Sequence, residues 1–71
     1  MTSKQKIGIV CDNYKVRMFR EEFEAAGIEI VSAVPNKDLF TIITVFDRQE
    51  RVKPIVDKVT QYYLDYYKTN N

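Results

Sequence analysis

The chain has 71 residues, eleven of them basic and ten acidic, with one cysteine and no histidine. At this length folding buries only about 60% of the surface that the unfolded chain exposes, so packing alone leaves a thin margin of stability. A lone cysteine excludes an intrachain disulfide and, without histidine, argues against a structural zinc site, while a net charge of +1 supplies no global pull toward nucleic acid or anionic lipid.

No apolar run approaches the roughly 20 residues needed to span a bilayer, and the polar start MTSKQK lacks the apolar segment of a signal peptide. With 45% hydrophobic residues the composition argues against disorder, and the length suits one small domain over 1–71, which the order of elements makes α+β. The unpartnered Cys11 fits a reducing compartment, so the expectation is a cytoplasmic protein with no membrane contact.

In chain order, KIGIVC is a β-branched apolar run and predicts a first strand over Lys6 to Cys11. Asp12 or Asn13 then offers a helix cap, and the spacing Val16, Phe19, Phe23, Ala26 predicts a helix over about 14–26, stopped by Gly27. IEIVSAV (Ile28 to Val34) and LFTIITVF (Leu39 to Phe46) are β-rich, and the PNKD between them is turn chemistry, so an antiparallel hairpin is expected. Asp47 and Glu50 have capping-box spacing ahead of a periodic run, which predicts a second helix from about Arg48 to Lys68. Pro54 lies beyond the first turn of that helix, so it predicts a kink or a later true start.

The order β-α-β-β-α resembles the ferredoxin-like plan without its fourth strand, a likeness of topology that spans the whole chain. It implies a three-stranded antiparallel sheet with both helices on one face, the third strand central and the first on an uncovered edge. Such a sheet should alternate apolar and polar, and these strands do not. Ile7 and Ile9 oppose Val10, Ile28 and Ile30 oppose Val31 and Ala33, and Leu39, Ile43 and Val45 oppose Phe40, Ile42 and Phe46. Strands apolar on both sides call for cover on both sides, and a second copy is the simplest supplier.

On the second helix Val52, Ile55, Val56, Val59, Tyr63 and Tyr66 share a face that should meet the sheet, leaving Tyr62 and Tyr67 on its flanks and Leu64 well off it. On the first helix Tyr14, Met18 and Ala25 form a thin apolar line opposite the core face. Val10, Val31, Ala33, Tyr14, Met18, Tyr62, Leu64 and Tyr67 are therefore the interface candidates. The amino end of the first helix carries Asn13, Lys15 and Arg17, a candidate anion site, although CDNYK has no glycine to admit a phosphate and Asp12 repels one. Arg17 with Glu21 and Arg20 with Glu24 stand at ion-pairing spacing.

Catalytic signatures are missing: there is no histidine base, nucleophile elbow, P-loop or dinucleotide fingerprint, and no cofactor or metal is implied. Cys11 in an apolar strand reads as an inert thiol. The sequence thus points to a non-enzymatic interaction or regulatory protein, of the inhibitor, accessory or viral type, that forms a homodimer and binds a protein partner. A module that senses a small ligand, such as an anion or a nucleotide, at a subunit interface is the alternative. An RNA-binding sheet would use Phe40 and Phe46 with the charges of RQERVK (Arg48, Arg51, Lys53), but its motifs and a basic balance are absent, so nucleic acid is not an expected partner.

Overall fold

A computed structural model describes residues 3–36 and 39–70, the last two of these by backbone alone. The elements are β1 (Gln5–Asp12), a 3-10 turn (Asn13–Lys15), α1 (Val16–Ala25), β2 (Glu29–Asn36), β3 (Phe40–Asp47) and α2 (Gln49–Asn70). The sheet has three strands in the order β1-β3-β2, and β3 runs antiparallel to both neighbours. This is the α+β plan that the sequence implies, with β1 at one edge and β2 at the other. Of the turn joining β2 to β3, Lys37 and Asp38 lie outside the described residues.

Period-two patterning on β1 and β3 decides what each face meets. Ile9 and Cys11 of β1 and Thr41, Ile43, Val45 and Asp47 of β3 are buried, and Ile9 sits opposite Ile43 while Cys11 sits opposite Thr41. Phe19 and Phe23 from α1, Val52 and Val59 from α2, and Ile28 complete the core, with the two phenylalanine rings stacked 5.9 Å apart. The helices therefore cover one face of the sheet.

Gly27 ends α1 because the chain must turn left-handed there, at φ 73°. The Ile28 amide donates to the Phe23 carbonyl at 2.9 Å and the Gly27 amide to the Glu24 carbonyl at 3.0 Å, a Schellman closure. Ile28 and Phe23, both buried, supply its apolar contact.

The amino ends of the helices differ from expectation. Asp12 makes no side-chain cap bond, and a 3-10 turn over Asn13–Lys15 precedes the α-helix proper. At α2, Asp47 holds the first turn. Asp47 Oδ1 accepts the adjacent Arg48 amide at 2.7 Å, and its Oδ2 accepts Arg51 Nη1 at 3.0 Å. Arg51 also donates to the Ala26 carbonyl, so one guanidinium ties the start of α2 to the end of α1. Pro54 does not delay the start of α2: it sits inside a helix that begins at Gln49.

Four faces also need correction. A register shift between Ile30 and Ser32 bulges β2 at Val31, which sets Ala33 opposite Ile43 on the helix-side parity and turns Val34 to the other face, opposite Ile42. Leu39 precedes β3 and is exposed instead of sharing the core with Ile43 and Val45. Met18 is half-buried and packs against the core instead of facing solvent. Tyr66 is 52% exposed instead of meeting the sheet. The last has a simple cause: the 22 residues of α2 extend about 33 Å, whereas the eight-residue strands extend about 26 Å, so the helix outruns the sheet.

Candidate functional site

The face of the sheet away from the helices is built from residues that alternate with the core positions. Down β3 it presents Phe40, Ile42, Thr44 and Phe46. Val10 of β1 and Val34 of β2 flank Ile42, so an apolar row crosses all three strands. Val10 is 66% exposed, and Phe40 and Phe46 at the ends of the central strand are exposed too. Charged and polar residues lie at the margins: Lys6 and Glu29 stand beside Phe46, and Asp12 and the neutral Asn36 beside Phe40.

The two edges of this face are unlike. β2 has the bulge at Val31 and a proline, Pro35, both of which spoil a strand as a template for further pairing. β1 has neither, and its eight residues run in unbroken register against β3, so the outward amides and carbonyls are evenly presented. Behind that edge, on the helix side, a groove of ≈ 260 Å³ is lined by Ile9, Cys11, Phe19, Val56 and Thr60, among others. Burial, with Asp12 adding to it and Lys15 opposing, pushes the Cys11 thiol up from its ordinary value of 9.0, which keeps it protonated and weakly nucleophilic near neutrality.

A tyrosine cluster joins the two helices at the end remote from Arg51. The rings of Tyr14 and Tyr63 meet edge to face at 5.3 Å, and Tyr62 meets Tyr63 the same way at 5.2 Å. The Tyr63 hydroxyl donates to the Tyr14 carbonyl at 3.3 Å, and the hydroxyls of Tyr67 and Tyr14 share a hydrogen bond. That bond, with desolvation second, raises the Tyr14 phenol well above its ordinary range. Lys15 Nζ lies 5.7 Å from the Tyr14 ring centroid and 5.6 Å from that of Tyr63, and pairs with Asp12 at 3.5 Å.

Of the interface candidates, Val10 alone lies on the apolar row. Val31 is exposed at the bulge and Ala33 is exposed on the other parity of β2. Tyr14, Met18, Tyr62 and Tyr67 belong to the seam between the helices, and Leu64 is exposed elsewhere on α2. Val34 is missing from the candidates because the bulge that turns it outward leaves no mark in a stretch apolar on both parities. Phe40 and Phe46 share the outer side of β3 with Ile42, as their period-two spacing implies, although neither is among the interface candidates.

The anion candidates are not brought to a common point. Asn13 Oδ1 accepts the Thr41 hydroxyl at 2.6 Å, Lys15 is held by Asp12 and the two rings, and Arg17 pairs with Glu21 at 3.1 Å. Asn13 and Arg17 do line a groove of ≈ 450 Å³ with Arg20, but Glu21 and Glu24 line it as well and cancel the positive charge. Among the described residues no three histidine, cysteine or carboxylate side chains are placed to hold a metal, every buried side-chain nitrogen or oxygen has a hydrogen-bond partner, and no helix is long and apolar enough to cross a membrane. Comparison of the chain with family models, with curated proteins and with solved structures returned no match. The class defined by fold and surface is thus an α+β domain on a ferredoxin-like plan lacking the fourth strand, with one bare edge and one open apolar face.

Proposed function

We propose that the chain is a small non-enzymatic interaction protein of the cytoplasm that self-associates as a homodimer and binds a further protein through the apolar face so assembled. The observation that carries this is the contrast between the edges: β2 is blunted by a bulge and a proline, while β1 is straight, proline-free and bordered by the exposed Val10. An edge of that kind beside an apolar row spanning three strands suits pairing with another chain better than contact with solvent.

The charge pattern supports a protein contact over a nucleic-acid one. Each exposed phenylalanine has a carboxylate beside it, Glu29 at Phe46, where it offsets Lys6, and Asp12 at Phe40, whereas a phosphate backbone would need a net excess of cations. Arg51, the middle of the basic run, is committed to Asp47 and to the Ala26 carbonyl.

Light scattering over a wide concentration range tests the reading, on the wild type and on Val10→Lys, with circular dichroism to show that both fold. The mass should climb from the 8.4 kDa of one chain toward twice that value in the wild type and stay at one chain in the variant. A wild type that remains a monomer throughout defeats self-association and turns attention to a small ligand on the open face, read by thermal stabilisation with a metabolite panel.

A further inference from the structure

Resting on the self-association just proposed, we infer how the two copies meet: β1 pairs antiparallel with β1 of a second copy about a two-fold axis at Ile9, joining two three-stranded sheets into one of six strands. Residues directly opposite one another in an antiparallel pair lie on the same face, so only registers that oppose odd positions to odd and even to even keep both open faces on one side. Centred on Ile9, the pairing sets Ile9 against Ile9 and Ile7 against Cys11 on the helix side. On the open side it sets Gly8 against Val10 and Lys6 against Asp12.

Every apolar side chain in that ladder then meets another or a glycine, and the two charged residues meet opposite charges. The two-fold axis makes each of these contacts twice except Ile9 against Ile9, which lies on the axis. Moving one pair in one direction sets Val10 against Lys6 and Cys11 against Gln5. Moving one pair in the other shortens the ladder, sets Asp12 against Gly8 and leaves Lys6 with no opposite charge.

The groove behind the edge is an independent argument. Its lining includes Ile9, Cys11, Phe19, Val56 and Thr60, with Asp12 and Lys15 as its charged members. Ile7 of the second copy, opposite Cys11 and on the same face, is directed into it. Ile7 is only half-buried within one chain, so the pairing supplies cover to both partners. Within a chain Asp12 is 3.5 Å from Lys15, a loose pair that leaves carboxylate lone pairs for Lys6 of the other copy.

The test is charge-swap complementation followed by sedimentation, with circular dichroism on each variant. Lys6→Glu alone and Asp12→Lys alone each place like charges opposite one another twice, which should raise the dimer dissociation constant about tenfold or more. Mixing the two variants restores two attractive pairs, and the dimer should return to near wild-type strength. Lys4→Glu mixed with Asp12→Lys should not restore it, because that pair is opposed only when Gly8 faces Gly8.

Lys6→Gln gives a second reading that leaves Asp12 and its Lys15 contact intact: the dimer should weaken and lose most of its salt dependence. A dimeric wild type whose strength is not restored by the Lys6→Glu and Asp12→Lys mixture, or is restored by the Lys4→Glu one, overturns this register while self-association stands. A monomeric wild type overturns both.

Discussion

Arg51→Met removes the group that joins the two helices while keeping most of the apolar stem. Asp47, 1% exposed, would keep the Arg48 amide at 2.7 Å but lose its guanidinium partner, and the Ala26 carbonyl at the end of α1 would lose it too. Removing one member of a fully buried ion pair costs about 3–5 kcal/mol, and one hydrogen bond to a charged group is worth about 1.5–3 kcal/mol. The Arg51 side chain is 43% exposed, so water can approach the orphaned carboxylate and the lower figure governs. We expect a loss of about 2 kcal/mol, or a fall in Tm of roughly 8–16 °C for a domain of this size. Arg17→Met is the control: that arginine is 91% exposed and its partner Glu21 is 65% exposed, so its loss should stay below about 0.5 kcal/mol. Urea and thermal unfolding at dilute, matched protein concentration read both. If the two variants lose the same small amount, Asp47 is not held as described and the reasoning fails.

Gly27→Ala should cost about 1–2 kcal/mol in urea unfolding, because nothing lies within 4 Å of the added methyl and the penalty comes from the left-handed backbone at φ 73° alone. Pro54→Ala should instead raise stability by about 1–2 kcal/mol in the same assay, since it returns a backbone donor to position 54 inside α2 without touching a buried residue. Stability should also fall on the alkaline side. Burial raises the Cys11 thiol in the folded chain, so the unfolded chain ionises first and the stabilisation, complete below pH 9, drains away as pH rises through the folded value. Tyr63, raised mainly by burial, adds to this above pH 10. Cys11→Ala should start less stable at neutral pH but show a flatter slope between about pH 9 and 10. Equal slopes in the two proteins would contradict that assignment.

The elements were legible in the sequence where one local force dominates. Runs such as KIGIVC and TIITVF fixed the strands, the spacing of Phe19 and Phe23 set the core side of α1, and Gly27 marked its stop. What was hidden depends on more than local pattern. The bulge at Val31 falls in a stretch already apolar on both parities, so no alternation existed for it to interrupt. Met18 lies on the flank of α1 beside Tyr62 and Tyr63 of α2, so a helical wheel referred to the sheet-facing side alone put it on the outside. Tyr66 failed because a period gives direction along a helix but not where its partner sheet ends. The uncovered β1 edge, by contrast, followed from topology alone. What distinguished it from β2 was the bulge and Pro35, of which only the proline could be read.

Amide hydrogen exchange, followed residue by residue at low and high protein concentration, tests most directly whether β1 is where a second copy joins. Both β1 and β2 are edge strands in one chain, so each serves as the other's reference. If the edges differ as described, outward amides of Gln5–Asp12 should slow as concentration rises, while those of Glu29–Asn36 keep one rate. Exchange in β1 that is independent of concentration while the mass doubles, or new protection confined to β2, would contradict the assignment of β1 as the joining edge.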